Sequence, residues 1–257
     1  MSIYQHFRPE EREYIDQVLN WKDYVETQYT PKVTDFLDPR EQHILKMLIG
    51  EHGEVNYTLF GGSPDVERKR ALIFPEYLTV TEKEFQISLF EIHYPSKFVT
   101  IEHRQVLGTL MSLGLKRGKF GDILIKDGIC QFFAAQEISD YIRSNVETIG
   151  RAGVKLTEMD IVKAISAKEL WVESDLTVSS LRLDTVISGI YHASRQKSQL
   201  FIQQGLVKVN WTLTENPSFE CGVGDMISVR GSGRVKILTI EGKTKKEKWR
   251  INVGKQK

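Results

Sequence analysis

Apolar positions near the N-terminus recur with the spacing of one helix face. They follow an i, i+4, i+7, i+11 pattern and are Tyr14, Val18, Trp21 and Val25. This spacing predicts an amphipathic helix. A second helix is predicted to begin at Asp38, because Asp38 suits the N-cap, Pro39 suits the first helical position and Glu41 completes a capping-box spacing. Alternating apolar residues over 55–59 then predict a strand, which ends at a Gly-Gly-Ser-Pro break at 61–64.

The middle of the chain switches repeatedly between strand and helix periods. Residues 85–89 alternate like a strand, and 103–113 have the spacing of a helix. The Asp-Gly pair at 127–128, set between apolar runs, predicts a β-hairpin. A helix over 138–149 and a strand over 154–162 complete the order β-α-β-β-α-β. This is the order of ferredoxin-like folds, which RNA-recognition motifs share, although fold order alone shows no function.

The sequence of the last third of the chain predicts a small, separate module. Helix, turn, helix and strand follow one another between residues 181 and 210, and short strands continue to Val253. The expected fold class is therefore α+β. Its three parts are an N-terminal α/β region at 1–79, a ferredoxin-like domain at 80–175 and a C-terminal module at 176–257.

The charge distribution sets the C-terminal module apart. From Leu176 onward the chain has 14 Lys and Arg against 6 Asp and Glu, whereas the part before it has 21 against 28. The net charges are thus +8 and −7, within a total of +1. A basic third attached to an acidic remainder indicates that one end contacts a polyanion. The alternative is a solubilising tail, since the segment 243–249 supplies four of these cations.

Other global features favour the cytoplasm. The chain has no run of 18 apolar residues, so no membrane span is expected. The first residues lack the apolar core of a secretory signal. Cys130 and Cys221 are far apart in sequence and form no CxxC pair, which favours buried free thiols over a disulfide framework.

The start of the C-terminal module combines helix capping with basic residues. Ser194 is a predicted N-cap with Arg195 in the first turn, and Gly205 suits the left-handed position that ends the helix. Lys208 lies between two valines, so one strand face is apolar and the other basic. Asn210 tolerates the left-handed conformation of a turn. A helix N-terminus with Arg and Lys beside it is well suited to contact phosphates.

These residues resemble the RNA-binding module first described in ribosomal protein S-four, here called the S-four module. The shared pattern is Arg-Leu-Asp at 182–184, Ser-Arg at 194–195, Gly205, Val-Lys-Val-Asn at 207–210 and Gly-Asp at 224–225. In that module the helix pair and the following strand present cations to RNA. The resemblance therefore implies that Arg182, Arg195, Lys197 and Lys208 contact RNA. The full candidate RNA-binding set adds Ser194, Asn210, Trp211 and Arg230.

Individual positions within this set have different expected roles. Asp184 is expected to be structural and to orient Arg195 by a paired hydrogen bond. Ser194 and Asn210 are expected mainly to maintain the fold. Trp211 departs from the pattern, which has Gly after Asn, and offers an aromatic surface for base stacking. Ser198 stands where the pattern usually has Ala.

Taken over its whole length, the sequence resembles the YlmH family of Gram-positive bacterial proteins, which carry the S-four module at the C-terminus. The supporting motifs are Phe-Gly-Gly at 60–62, Glu-Arg-Lys-Arg-Ala at 67–71, His-Arg at 103–104, Leu-Gly at 107–108 and Phe-Gly-Asp-Ile at 120–123. The resemblance implies an RNA-binding protein on the large ribosomal subunit. It also implies a role in quality control of stalled nascent chains, beside peptidyl-tRNA, with rRNA and possible tRNA contacts.

A glycine-rich basic loop at 114–121 is a second candidate RNA site. Its cations Lys116, Arg117 and Lys119 lie among three glycines, which would permit close approach of phosphates. It is neither a Walker motif nor an RNA-recognition-motif signature, because Lys119 falls where the latter needs an aromatic residue. A solvated loop that makes no RNA contact is an alternative of equal weight. The charged run at 67–70 is a weaker candidate, since such runs are usually solvated faces.

Catalytic signatures are absent from the sequence. Gly231-Ser232-Gly233 lacks the third glycine of a dinucleotide fingerprint, because residue 236 is Lys. The six histidines show no metal-ligand spacing. We therefore expect no catalytic residues, metal, cofactor, small-molecule substrate or membrane partner. The leading interpretation is a non-catalytic RNA-binding protein, and the alternative is an RNA-modifying enzyme with an unrecognised active site in the middle domain.

Overall fold

A computed structural model describes residues 3–7, 11–50, 53–166 and 171–256. The chain divides into two compact units, Met1–Ala167 and Lys168–Lys257. In the described residues, the first unit contains two hydrophobic core clusters and the second unit contains one. None of the helices in the described ranges is long and apolar enough to cross a bilayer.

The N-terminal part of the first unit packs two helices against a three-stranded antiparallel sheet. Its elements are α1 (Arg12–Gln28), β1 (Lys32–Leu37), α2 (Pro39–Ile49), β2 (Val55–Phe60) and β3 (Lys69–Pro75). The sheet order is β1-β3-β2. The predicted capping box is confirmed, because the Asp38 carboxylate accepts bonds from the amides of Arg40 and Glu41 while Glu41 accepts from the Asp38 amide. These bonds satisfy donors that a helix start leaves open.

The rest of the first unit is the expected ferredoxin-like domain. Its main elements are β4 (Ile87–His93), α3 (His103–Ser112), β5 (Phe120–Lys126), β6 (Ile129–Ala135), α4 (Ser139–Asn145) and β9 (Lys155–Met159). The two-residue strands β7 (Thr148–Ile149) and β8 (Ala152–Gly153) form a small hairpin. The antiparallel order β5-β6-β4-β9 matches the β-α-β-β-α-β prediction.

Element ends in this domain differ from the sequence prediction. Residues 82–85 form a short 3-10 turn, and Gln86 is left-handed with φ 51°, so the strand begins at Ile87. The predicted helix over 138–149 ends at Asn145, because the chain turns there toward β7. The Asp-Gly hairpin is confirmed, and Asp127 and Gly128 have φ values of 50° and 79°.

The charged run at 67–70 holds the two parts of the first unit together. Arg70 is only 2% exposed, and its guanidinium donates to the carbonyls of Thr34 and Gln86 at 2.6 and 2.8 Å. The backbone amides of Glu67 and Arg68 donate to the Asp122 carboxylate at 2.6 and 3.0 Å. The expectation of a solvated face is therefore wrong for Arg70. Tertiary partners far away in sequence make its burial possible.

The second unit packs two helices on one face of a six-stranded antiparallel sheet. Its elements are β10 (Trp171–Val178), α5 (Leu183–Tyr191), α6 (Arg195–Gln203), β11 (Val207–Val209), β12 (Thr212–Leu213), β13 (Met226–Val229), β14 (Gly233–Lys243) and β15 (Trp249–Gln256). The sheet order is β10-β15-β14-β13-β11-β12. β10 pairs with β15 along its whole length, so the predicted boundary between 175 and 176 falls inside a strand. The second unit instead begins at Lys168.

Candidate nucleic-acid interface

A buried carboxylate organises two arginines at the start of the helix pair. Asp184, in the first turn of α5, has no exposed side-chain surface. It accepts bonds from Arg182 Nε and Nη2, both at 3.2 Å, and from Arg195 Nε at 3.0 Å. Gln199 Nε2 donates to the same carboxylate at 2.8 Å. We call these four residues the arginine cluster. The predicted contact between Asp184 and Arg195 is present as a single hydrogen bond, whereas the paired bonds to this carboxylate come from Arg182.

The electrostatics of the arginine cluster leave it positively charged. Burial by itself would raise the pKa of Asp184, but hydrogen bonds from Arg182, Gln199 and Arg195 outweigh burial and hold that pKa well below its usual value. Asp184 is therefore an anion at neutral pH. One anion shared by two guanidiniums leaves one net positive charge. The Arg182 and Arg195 side chains stay 38% and 57% exposed, so their remaining N–H groups can reach a ligand.

Sequence reasoning did not identify Gln199 as part of this arrangement. It lies four residues after Arg195 on α6, so the two side chains share one helix face. The four-residue spacing between Arg195 and Gln199 was the only sign in the sequence that both could contact one partner. It could not be interpreted without knowing which face of α6 contacts Asp184.

The N-terminus of α6 is capped as the pattern predicts. Ser194 Oγ accepts from the Lys197 amide at 3.2 Å. Ser198 is fully buried, and its hydroxyl donates to the Ser194 carbonyl at 3.2 Å, which explains how Ser fits where the pattern has Ala. The Lys197 ammonium lies 5.6 Å from the centroid of the Phe201 ring. This cation–π contact keeps an exposed lysine beside the helix start.

Asn210 and Trp211 form the two-residue turn between β11 and β12. Both are left-handed, with φ values of 49° and 64°. Asn210 Oδ1 accepts from the Met226 amide at 2.9 Å, and its Nδ2 donates to Asp225 at 2.8 Å. Asn210 thus connects the turn to the Gly-Asp segment at 224–225 by hydrogen bonds, as expected for a residue that maintains the fold. Trp211 is half-buried in a conformation that glycine adopts more easily.

Lys208 lies on the face of the sheet that is turned away from the helices. Val207 and Val209 are buried in the core with Val186, Ile187 and Ile202 of α5 and α6. Strand alternation therefore directs Lys208, which is exposed, to the opposite face. Lys208 therefore does not share the helix-bearing side of the sheet with Arg195. Arg230 is also exposed, in the turn after β13, and lines a depression together with Lys208.

The loop at 114–121 uses two of its cations internally. Lys119 Nζ lies 2.6 Å from Asp35 Oδ1 and 2.9 Å from Glu137 Oε1. Burial would lower the pKa of Lys119, but these carboxylates raise it above its usual value. Arg117 donates to the Gly121 carbonyl at 3.3 Å. Lys116 is exposed.

Packing explains two of the glycines in this loop. A Cβ on Gly121 would lie 2.8 Å from atoms of Phe36 and Phe133, and one on Gly118 would lie 3.1 Å from Asp35 Cβ. The glycines allow the N-terminal sheet and the ferredoxin-like domain to approach each other. Close approach of a phosphate is therefore not needed to account for them.

The two cysteine thiols are poorly suited to nucleophilic catalysis. Burial raises the pKa of both Cys130 and Cys221 to about 12, so neither thiol is an activated nucleophile. Within the described ranges, no group of three His, Cys, Asp or Glu side chains could hold a metal ion.

Comparisons with known proteins cover almost the whole chain. Three family models match: "YlmH, N-terminal" over residues 10–78, "Putative RNA-binding domain in YlmH" over 80–163, and "S4 domain" over 181–227. "Ribosome-associated protein quality control protein P2" of Bacillus subtilis (strain 168) is 47% identical over 257 residues, covering 100% of this chain and 99% of that protein.

A solved structure supports the same assignment. "Cell division protein ylmH from Streptococcus pneumoniae" matches with a TM-score of 0.55 and 34% identity, over 64% of this chain and 100% of that chain. The S4 model spans the arginine cluster and the Asn210 turn, so the S-four module inferred from sequence is confirmed. With full-length identity of 47% to its Bacillus relative and both YlmH models matched in order, the chain belongs to the YlmH family.

Proposed function

We propose that this protein binds RNA of the large ribosomal subunit through the arginine cluster and acts by binding rather than by catalysis. The observation that carries the proposal is the buried Asp184 carboxylate, which holds two partly exposed guanidiniums in fixed positions. The relative in Bacillus subtilis is named as a ribosome-associated quality control protein, which supports a ribosomal partner. The proposed setting is the cytoplasm, on rRNA and with tRNA as a second proposed contact, during quality control of stalled nascent chains.

The geometry suits the recognition of phosphate groups. A guanidinium offers donors in a planar fork that matches two phosphate oxygens. Here Asp184 accepts a hydrogen bond from Nε of Arg195, which leaves both terminal nitrogens of that guanidinium for a ligand. Because the carboxylate fixes the two forks before binding, less side-chain entropy is lost when RNA arrives. Lys197, in the first turn of α6, adds a third cation beside the helix N-terminus.

Binding without chemistry agrees with the charge states of the cluster. A general base near neutral pH needs a pKa close to 7, whereas the pKa of Asp184 is held far lower by its donors. Lys119 in the first unit is paired with two carboxylates and has a raised pKa, so it is a poor nucleophile. These environments favour stable ion pairs over proton transfer.

The proposal is tested by co-sedimentation of the full chain with purified large ribosomal subunits over a salt titration. Arg182→Ala and Arg195→Ala should each weaken binding and make the plot of log affinity against log salt shallower by about 0.7–0.9. Arg195→Lys should weaken binding with little change in slope, because it keeps the charge but loses the fork. Lys245→Ala, an exposed cation in the turn before β15, is the matched control.

Two outcomes would contradict the proposal. One is wild-type sedimentation of both alanine variants at every salt concentration. The other is equal weakening by Lys245→Ala, which would show that only the total charge matters. A thermal melt of each variant separates lost binding from lost folding.

A further inference from the structure

The sheet face turned away from the helices carries three cations on β11 and β14, and a fourth adjoins it in the turn between β13 and β14. We call this set the outer basic face, and its members are Lys208, Arg230, Arg234 and Lys236. Lys208 pairs in register with Ser228, and Ser228 pairs with Arg234, so the three side chains form one row across the strands. Lys236 follows Arg234 by two residues and therefore points the same way.

The charges on this face are concentrated at one end. Segments 207–209 and 226–238 contain these four cations and no Asp or Glu. The acidic residues Glu173 and Asp175 alternate onto the same face on the edge strand β10, where Glu173 lies in the same cross-strand row as Lys236, two strand spacings or about 9.6 Å away. Within the described part of the chain, the side chains of Lys208, Arg230 and Lys236 form no ion pair. No carboxylate therefore binds these three cations directly, unlike the arginines of the arginine cluster.

A depression of about 380 Å³ lies between these cations. Lys208, Ser228, Arg230 and Arg234 line it, together with the bare backbone of Gly231 and Gly233. Both glycines are left-handed, and a Cβ on either would meet no atom within 4 Å. Their missing side chains leave room for a ligand to approach the turn closely.

We propose that the outer basic face is a second RNA-backbone site, which binds phosphates independently of the arginine cluster. This inference rests on the proposed function, because it assigns a further contact surface for the same kind of ligand. Adjacent strands lie about 4.8 Å apart and alternate residues about 6.7 Å apart along a strand, so the cations span roughly 10 Å in each direction. That spread matches several backbone phosphates better than one small anion. No base-reading group is needed, so the contact is not sequence-specific.

The two surfaces lie on opposite sides of one thin module. The arginine cluster is at the start of the helix pair, whereas the outer basic face is across the sheet from those helices. A single straight RNA helix cannot contact both at once. The module therefore sits between two RNA segments, each held mainly through its backbone, and simultaneous contact raises the total affinity by effective concentration.

The test removes two cations from the outer basic face in the full chain, as Arg234→Gln with Lys236→Gln. The probes are a labelled 20-base-pair RNA duplex and purified large ribosomal subunits. We expect weaker binding to both probes and a salt slope shallower by about 1.4–1.8. Lys245→Gln with Lys246→Gln removes the same charge from the exposed turn between β14 and β15 and should leave both curves nearly unchanged.

The outcomes separate this inference from the proposed function. Unchanged binding by Arg234→Gln with Lys236→Gln, when Arg182→Ala weakens binding, would overturn the outer basic face and leave the arginine cluster standing. The reverse result would support the outer basic face and refute the arginine cluster. If the two double variants lose affinity equally, net charge explains the effect and the second site is wrong. Equal melting temperatures of the variants would show that folding is intact.

Discussion

Replacing Asp184 by Asn separates two explanations of RNA binding that predict opposite signs. The substitution removes one negative charge from beside Arg182 and Arg195. If these arginines act only through their charge, RNA affinity should rise, because the cluster gains one net positive charge. If Asp184 acts by fixing their orientation, affinity should fall despite the added charge. The change in affinity therefore tests positioning directly.

The expected magnitude follows from the contacts of the carboxylate. Ordering a flexible side chain costs about 0.5–1.5 kcal/mol, so freeing two arginines should weaken RNA binding by about 1–3 kcal/mol, or about 5- to 150-fold. Stability should fall as well, since a hydrogen bond to a charged group contributes about 1.5–3 kcal/mol. Because Arg182 and Arg195 are 38% and 57% exposed, water replaces much of what they lose. We expect a net loss of about 2–3 kcal/mol in the free energy of unfolding.

The pH dependence gives an independent check. The folded pKa of Asp184 lies below the unfolded value of about 3.9, so the unfolded chain binds more protons between the two. The stabilisation by Asp184 is therefore complete above about pH 5 and is lost as pH falls through the folded pKa. The stability gap between wild type and Asp184→Asn should be constant near neutral pH and should narrow below about pH 4.

The assays are fluorescence anisotropy with a labelled RNA duplex and urea unfolding of the full chain at several pH values. Glu215→Gln is the matched control, because it adds the same charge at an exposed position in the same unit. Tighter RNA binding by Asp184→Asn than by Glu215→Gln would refute the positioning role. A gap in stability that does not change at low pH would refute the lowered pKa.

Three further predictions address other parts of the chain. Arg70→Met should destabilise the first unit by about 3 kcal/mol in urea unfolding, because it leaves buried carbonyls without a donor. Gly121→Ala should cost about 1–3 kcal/mol in the same assay, since its Cβ would press on Phe36 and Phe133, and a neutral result would contradict that packing. Trp211→Ala should weaken RNA binding by about 1–3 kcal/mol with an unchanged salt slope if a base stacks there, whereas a lower melting temperature alone would indicate a packing role.

Local chemistry determined most of what the sequence could predict. The capping box at Asp38 and Glu41 works through contacts within one helical turn, so residue spacing alone identifies it. The Asp127-Gly128 hairpin depends on left-handed backbone, which the two residue types indicate directly. The S-four module is confirmed because its pattern combines such local signals in one order.

The parts that could not be predicted depend on distant contacts. β3 opens with Lys69 and Arg70, which have the composition of a solvated run. Arg70 is nevertheless buried, because its acceptors at Thr34 and Gln86 come from other elements. The side of the sheet that Lys208 occupies follows from alternation, but only the packing of α6 on the valines shows which face the helices cover. The sequence shows that apolar and polar residues alternate along a strand, but it does not show which other element packs against the apolar face.

Whether a Lys or Arg side chain is available to RNA depends on the acidic groups that already bind it, and not on the number of cations in the chain. Lys119 is held by Asp35 and Glu137, and Glu137 also lies 3.2 Å from the guanidinium of Arg70, so neither cation projects free charge. Arg182 and Arg195 share one carboxylate, and this fixes their orientation while leaving net charge. Lys208 has no acid nearby in its strand row. The same residue types thus form a contact between the two parts of the acidic first unit and ligand-ready surfaces in the basic second unit, in accord with net charges of −5 over Met1–Ala167 and +6 over Lys168–Lys257.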